Sequence, residues 1–321
     1  MRILHVIPFL WSGAGNVVTR LCAAQAADND VGIVTSGRSK GFTDWTEYRK
    51  RLKSAGVGHF TIDFFDRDPA VFWPGVEAFK KLASRWNPDV IHCHSGVPAC
   101  AAAISGLRFI GQIHSWGVGR PDWMNAMDLS GFRTADRVLC GSIAYRNILT
   151  EGGVDPTRIR YLPWGLDLKE LRTRAFPSLK RRGGCAEGAD GVVRSAECFG
   201  RTDHPGATRH PSFSRRGIYS PNFSIGFLGR IEPRKAQLEL VRAFHRFHRC
   251  HPNSQLEFVG PAADKKYRQE ICAFVRKSGL SESVKLRGRV TNPYPKVKGW
   301  SLFTSLSSDE GQGIAILESM A

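Results

Sequence analysis

The chain alternates strand-like and helix-like segments, and this alternation limits its possible folds more than any other feature of the sequence. Helical patterns lie at residues 17–27, 71–86 and 143–151. Apolar runs typical of strands lie between them, at residues 2–9, 31–35, 60–65, 89–92, 109–114 and 137–140. Strands that alternate with helices pair in parallel, because each connection must cross a face of the sheet. The fold class predicted for this stretch is therefore α/β, with a doubly wound sheet.

A second alternating stretch begins at Phe223. Its strands are predicted at residues 224–228, 255–259, 284–286 and 302–306, and its helices at 237–249, at 265–278 and from 314 onward. A complete doubly wound domain needs about 150 residues. Only about a hundred follow residue 222, so this second domain is expected to be incomplete at its C-terminal end.

Residues 171–221 interrupt the pattern. They are rich in Gly, Arg, Ser and Pro and contain few periodic apolar positions, which is typical of a linker or insertion. An aberrant segment of the reading frame is the alternative. The predicted organisation is a first domain over 1–170, this basic segment over 171–221, and a second domain over 222–321.

The composition favours a cytoplasmic protein. The hydrophobic fraction is 42%, which is sufficient for a core, and no run reaches the ~18 apolar residues of a membrane span. The apolar stretch 3–11 is short and lacks a small-residue cleavage site, so a buried strand is expected there and not a signal peptide. The eight cysteines include no CxxC pair, which indicates reduced thiols and not a disulfide framework or a zinc site.

The formal net charge of +17 requires an anionic partner or another explanation. Between Lys169 and Arg216 there are eleven Lys and Arg against five Asp and Glu, so about a third of the excess lies in one segment. That segment lacks the interleaved aromatic residues typical of nucleic-acid binding. A basic nucleic-acid-binding protein is therefore the least favoured function, and no nucleic-acid partner is predicted.

Two groups of residues in the second stretch suggest chemistry. Arg230, Arg234 and Lys235 lie between a predicted strand and a predicted helix, where cations, backbone N–H groups and the helix dipole can bind a diphosphate together. Glu310 and Glu318 flank the start of the last predicted helix, and carboxylates accept hydrogen bonds from sugar and ribose hydroxyls. Each group alone also fits an ordinary solvated turn or a helix-terminal acid.

In this order, the two groups resemble the nucleotide-sugar domain of glycosyltransferase family 4. The first stretch also resembles that family, in its opening strand, glycine loop and helix, in a PDxxHxH strand end, and in the segment that closes the first domain. These resemblances lie at residues 1–27, 88–95 and 135–167, so only about 171–221 has no counterpart. The resemblance implies a GT-B fold, in which two doubly wound Rossmann-like domains face a cleft.

The resemblance also implies a role for each matching residue. Arg230 and Lys235 would neutralise the diphosphate of a nucleoside diphosphate sugar as it leaves, and Glu318 would hold the ribose hydroxyls. Gly13 and Gly15 would let the backbone of the first domain approach the same diphosphate.

The catalytic pair implied by the resemblance is His114 and Glu310. His114 stands at a predicted strand end and would contact the donor sugar, which Glu310 would hold. A strand-end histidine satisfied by the backbone is the alternative for His114. Members of the family retain the anomeric configuration and generally need no metal, so no cofactor is expected.

The function implied is a retaining glycosyltransferase that moves a sugar to a glycan or lipid-linked acceptor, in polysaccharide or glycolipid synthesis at the cell surface. The sequence departs from the family pattern at Ala236, where a glycine is usual, and at Trp164, where an asparagine is usual. The more serious departure is the expected loss of the last strands and of a helix that crosses back onto the first domain. A catalytically inactive or partial protein that only binds nucleotide sugar is therefore the main alternative.

Other patterns are weaker. Residues 66–68 form a DxD triplet, which is a metal–nucleotide signature in a different glycosyltransferase architecture but is expected to be a turn here. His92 and His94 could bind a metal, although the sequence places no third ligand beside them. Residues 45–53 and 72–86 mix aromatic residues with cations at helical spacing, which suggests peripheral contact with the inner, anionic face of a membrane or ordinary packing of helices on a sheet.

Overall fold

The structure is a computed structural model that describes residues 1–37, 46–64, 68–116, 122–166, 223–308, 310 and 313–321. The predicted segment 171–221 lies outside the described residues, as do two members of the DxD triplet, Asp66 and Arg67. Asp68, the third member, accepts a hydrogen bond from the backbone N–H of Ala70 and so caps a helix. None of the described helices is long and apolar enough to cross a membrane.

Seven parallel strands form the first sheet, in the order β3-β2-β1-β4-β5-β6-β7. Their bounds are β1 Arg2–Val6, β2 Asp30–Thr35, β3 Gly58–Thr61, β4 Val90–Cys93, β5 Ile110–Ile113, β6 Arg137–Cys140 and β7 Ile159–Tyr161. Six helices connect them: α1 Ser12–Gln25, α2 Thr46–Ser54, α3 Pro69–Trp86, α4 Gly96–Ile104, α5 Asp122–Thr134 and α6 Ile143–Glu151. The strand order reverses between β1 and β4, so their carboxyl ends border the crevice where such sheets bind ligands.

Helices cover both faces of this sheet. Two core clusters of buried residues result, one that includes α1 and α2 and one that includes α3, α4 and α5. Tyr48 and Leu52 of α2, and Val76 and Phe79 of α3, are buried in these clusters. These four apolar positions are therefore core positions, which favours the packing interpretation, although Trp73 of α3 is exposed.

A second parallel sheet has the order β10-β9-β8-β11. Its strands are β8 Ser224–Leu228, β9 Gln255–Val259, β10 Val284–Leu286 and β11 Leu302–Phe303. The described helices of this region are α7 Gln237–Cys250, α8 Lys265–Lys277, α9 Tyr294–Gly299 and α10 Ile314–Met320. The order reverses between β8 and β11, which places the loops after these two strands beside each other.

The structure confirms the α/β class and corrects some local predictions. The first strand ends at Val6 and not at residue 9, because the chain turns there to begin α1 at Ser12. Gly13 and Gly15 therefore lie in the first turn of a helix and not in a loop. Helices α4 and α5 had no counterpart among the predicted segments. All described residues of α4 from Gly96 to Ala102 are buried, so that helix lacks the polar face that makes a helical period readable.

Candidate functional site

The loop after β8 holds two arginines around one carboxylate. Glu232 accepts contacts from Arg230, at 3.2 Å, and from Arg234, at 2.8 Å. All three side chains are largely buried. A short 3₁₀ helix, Pro233–Lys235, then carries the chain into α7. The loop therefore concentrates positive charge at the carboxyl end of β8, an inner strand of the second sheet.

Two neighbours hold this loop in place. The buried Gln237 donates a hydrogen bond to the backbone carbonyl of Arg230, at 2.6 Å. The backbone N–H of Ser308, which follows β11, donates to the carbonyl of Arg234 at 2.9 Å. Because these contacts fix the backbone, the cations are held in place before any ligand arrives.

Lys235 and Glu310 form an ion pair that joins the loop after β8 to the loop after β11. Ser307 also donates a hydrogen bond to Glu310, at 2.9 Å. Burial lowers the pKa of Lys235, although the hydrogen bond and the negative charge of Glu310 act in the opposite direction. Burial likewise lowers the pKa of Arg230. A largely buried cation gains more from an added anion than an exposed one does, because water screens it less.

The first domain contacts this cationic loop through α1. The guanidinium of Arg230 lies over the ring of Trp11, 4.9 Å from its centroid, and Trp11 is the residue before the helix. A Cβ atom on Gly13 would lie 3.7 Å from Ile314, the first residue of α10. The N-terminus of α1 therefore faces the start of α10 and the cationic loop of the second sheet.

Gly15 lies in a different environment. A Cβ atom there would lie 2.8 Å from the backbone carbon of Leu10 and about as close to the ring of Tyr48. The structure thus gives Gly15 a packing reason to be glycine, since α2 approaches α1 at this point. Nothing among these contacts directs Gly15 toward the cationic loop.

Glu318 lies at the boundary between the two regions. Its carboxylate accepts a hydrogen bond from the hydroxyl of Tyr294, at 3.0 Å. Burial raises the pKa of Tyr294 to about 12, and the negative charge of Glu318 acts in the same direction. The carboxylate predicted to hold ribose is therefore already bonded to one hydroxyl group.

Histidines gather at the carboxyl ends of β1, β4 and β5. His5, His92 and His94 are buried, and one nitrogen from each lies within 4.8 Å of the others. The third histidine of this group, which the sequence did not place beside His92 and His94, thus comes from β1. In the structure His5 and His94 hydrogen-bond to each other, at 2.9 Å between Nδ1 and Nε2.

His114 follows β5 and joins this group. Its Nε2 lies 2.9 Å from Nδ1 of His94, and its ring stacks on Trp164 at 5.0 Å with an interplanar angle of 4°. Burial lowers the pKa of His114 to about 4, and that of His5 also to about 4. At neutral pH these imidazoles are therefore uncharged, and each has one donor and one acceptor nitrogen.

Comparisons with known proteins place this geometry in a family. Residues 11–170 match the family described as Glycosyltransferase Family 4, and residues 209–321 match the one described as Glycosyl transferases group 1. The chain belongs to glycosyltransferase family 4. An uncharacterized glycosyltransferase of Methanocaldococcus jannaschii is 29% identical over 106 residues, which are 33% of this chain and 25% of that protein. The match thus spans a quarter of the length of that curated relative.

Solved structures show that this family 4 glycosyltransferase has the GT-B fold. Anabaena HepE in complex with UDP and glucose matches with a TM-score of 0.73 and 17% identity, over 100% of this chain and 78% of that one. Sucrose-phosphate synthase from Thermosynechococcus elongatus matches with a TM-score of 0.68 and 16% identity, over 100% and 79%. A glycosyltransferase from Rickettsia africae matches with a TM-score of 0.67 and 14% identity, over 99% and 76%.

Most of the sequence-predicted residues of this family 4 glycosyltransferase lie in two places. Arg230, Lys235 and Glu310 lie together, and Gly13 lies near the start of α10. His114 belongs to the histidine group on the first sheet, whereas Glu318 is bonded to Tyr294 and Gly15 packs against Tyr48. The sequence interpretation missed the contributions of His5 and of Trp11. A signal for His5 exists, because a histidine interrupts the apolar run of β1 at a position that must be buried.

Ala236, where the family usually has glycine, adopts the left-handed conformation with φ of +52°. An alanine there is strained by about 1 kcal/mol relative to glycine. The variant Ala236→Gly of this family 4 glycosyltransferase is therefore expected to be more stable toward urea by about 1 kcal/mol. In the control variant Ala273→Gly, at an exposed position inside α8, the same change should destabilise by about 1 kcal/mol. If the stability of Ala236→Gly were unchanged or lower, the left-handed conformation would not strain Ala236.

Proposed function

We propose that the chain transfers a sugar from a nucleoside diphosphate sugar to a glycan or lipid-linked acceptor, with retention of anomeric configuration. The observation that carries this proposal is the pre-arranged cationic loop after β8, which faces the N-terminus of α1. Cations held at a strand end beside backbone N–H groups suit a diphosphate. The complex of HepE with UDP and glucose, in a protein of the same fold, supports the same class of donor.

Arg230 and Lys235 act by stabilising the charge of the departing nucleoside diphosphate. That charge grows as the bond to the sugar breaks, so fixed cations stabilise the transition state more than the ground state. They also supply the positive charge for which other enzymes use a divalent metal, and we propose that the reaction needs none. Lys235 is paired with Glu310 in the structure. When a diphosphate binds Lys235, Glu310 is released to accept a hydrogen bond from a hydroxyl of the donor sugar.

The remaining predicted residues take the roles that their positions allow. Gly13, in the first turn of α1, leaves room for the donor at the helix N-terminus. Glu318 would exchange its hydrogen bond from Tyr294 for ribose hydroxyls, and His114 would contact the donor sugar from the first sheet. We place the reaction in the synthesis of a cell-surface glycan or glycolipid, at the cytoplasmic side of the membrane.

The test of this proposal is nucleoside diphosphate release from a panel of UDP-, GDP-, ADP- and dTDP-sugars, with and without candidate acceptors and with EDTA present. The expected result is release from at least one donor, insensitive to EDTA, with the product anomer equal to the donor anomer by NMR. Inversion of the anomer, or a strict requirement for a divalent metal, would refute the mechanism.

A binding protein without turnover is the alternative function. It predicts that calorimetry detects binding of a nucleoside diphosphate while no donor is hydrolysed or transferred under any condition of the panel. Calorimetric titration with single- and double-stranded DNA at low salt tests the nucleic-acid alternative. That alternative predicts tight and strongly salt-dependent binding.

A further inference from the structure

Four polar side chains form an unbroken hydrogen-bonded chain across the first domain. It begins at Gln25, the last residue of α1, whose Oε1 lies 2.7 Å from Nε2 of His5. Nδ1 of His5 lies 2.9 Å from Nε2 of His94, and Nδ1 of His94 lies 2.9 Å from Nε2 of His114. The chain thus joins a half-buried glutamine to the histidine at the end of β5.

The direction of these hydrogen bonds is set by Gln25. In the orientation of the Gln25 amide that the structure has, Oε1 faces His5, and because an amide oxygen can only accept, His5 then carries its proton on Nε2. A neutral His5 then has an acceptor at Nδ1, which requires His94 to donate from its own Nε2. By the same step His114 donates from Nε2 to His94. All three rings therefore share one tautomer, and Nδ1 of His114 is left unprotonated, with no hydrogen-bond partner among the described residues.

We propose that Gln25, His5 and His94 are positioning residues, which fix the tautomer and ring orientation of His114 so that its Nδ1 accepts a hydrogen bond from a hydroxyl of the sugar donor. This inference rests on the function proposed for the site. Gln25 and His5 act through His94, and only His114 is expected to touch the substrate.

The surroundings favour one fixed arrangement. His5 and His94 are completely or almost completely buried, and His92 packs against both, with its ring centroid 5.2 Å from that of His5 and 4.1 Å from that of His94. Trp164 covers the face of the His114 ring. Rotation of the His5 ring or of the His94 ring would break two buried hydrogen bonds at once. Such a loss is costly, because no water can replace these hydrogen bonds. Burial lowers the pKa of His94 well below its usual value, so His94, like His5 and His114, stays uncharged at neutral pH.

The hydrogen bonds could run in the opposite direction only if the amide of Gln25 flips, so that its oxygen and nitrogen exchange places. Its NH₂ group would then donate to His5, every hydrogen bond of the chain would reverse, and His114 would carry its proton on Nδ1. Gln25→Glu removes this possibility, because a carboxylate can only accept. Gln25→Leu removes the acceptor and leaves the direction unset. These two variants therefore separate the effect of the accepting oxygen from that of the side-chain volume.

The tautomers can be read directly from ¹⁵N spectra of protein labelled at histidine, without any substrate. We expect the Nε2–H form for His5, His94 and His114 in the wild type and in Gln25→Glu, and a mixture of tautomers in Gln25→Leu. Gln269→Leu, an exposed position on α8, is the matched control and should leave these signals unchanged. Protonation of His114 at Nδ1, or a charged His114 at pH 7, would overturn the proposal. One equivalent of zinc retained after dialysis against EDTA would also overturn it, because the metal would occupy imidazole nitrogens that form the hydrogen bonds between Gln25 and His114.

Kinetics test whether the fixed tautomer matters for the reaction. Gln25→Leu is expected to lower kcat for the donor about tenfold, the effect of one lost hydrogen bond, while Gln25→Glu and Gln269→Leu stay within about twofold. A kcat of Gln25→Leu equal to that of the wild type, with altered tautomers, would overturn the positioning role. If the wild type turns over no donor, the proposed function fails. The ¹⁵N spectra still decide whether Gln25, His5 and His94 fix the tautomer of His114.

Discussion

Replacing Lys235 with methionine is expected to lower donor turnover by about two to three orders of magnitude, the usual effect of removing one group that stabilises developing charge. Methionine keeps the volume and the apolar stem of lysine but removes the ammonium. Because the lost interaction is strongest in the transition state, kcat should fall much more than KM rises. Steady-state release of the nucleoside diphosphate measures both quantities.

Lys285→Met is the matched control for this prediction. Lys285 also pairs with a glutamate, Glu282, but on the surface beside β10. Its replacement should leave kcat and KM unchanged, because surface ion pairs contribute little and this one is remote from the cationic loop. If Lys235→Met and Lys285→Met have the same modest effect, the cationic loop does not stabilise the leaving group.

Mild acid is expected to destabilise the fold well before most carboxylates are protonated. Burial lowers the pKa of His5 and of His114 to about 4, while the same histidines in the unfolded chain bind protons near pH 6.5. The unfolded state therefore binds more protons between these values, and stability is lost as the pH falls from about 6.5 to about 4. His5 alone contributes roughly 3 kcal/mol to this loss, since one pKa unit corresponds to about 1.4 kcal/mol.

Urea unfolding at intervals from pH 7.5 to pH 4.5, followed by tryptophan fluorescence, measures this dependence. His5→Leu removes one titrating group from the buried cluster, so its stability should change less over the same range, relative to its own value at pH 7.5. His245→Gln is the control, because His245 lies on α7, in the region of the second sheet. Its stability should depend on pH as that of the wild type does. A flat stability profile between pH 6.5 and pH 4.5 in the wild type would contradict the neutral, buried state of the cluster.

Much of the fold could be predicted because periodicity survives in the sequence. Strands β6, β8, β9 and β10 have the predicted bounds, since each is a short apolar run with clear breakers on both sides. Prediction failed where burial is complete. Helix α4 is apolar on all its faces, so it has no amphipathic period. The glycine loop expected around Gly13 is helical, and the close packing of Tyr48 against Gly15 gives that glycine a reason that the sequence does not show.

The candidate site could be predicted only in part, for a related reason. Arg230, Lys235 and Glu310 stand in local motifs after strands, and the structure brings them together. The chain from Gln25 to His114 could not be predicted in this way, because its members come from one helix and from three strand ends that only the parallel sheet brings together. The donor, the acceptor and the roles of individual residues remain predictions.

The loop after β8 is expected to bind the diphosphate of a nucleotide sugar, and calorimetric titration with UDP, GDP, ADP and dTDP measures this binding directly. At least one of them should bind the wild-type chain, with affinity lowered at least tenfold in Lys235→Met and unchanged in Lys285→Met. Binding that is equally strong in the wild type and in Lys235→Met, or no binding of any nucleoside diphosphate, would show that this loop is not the diphosphate site.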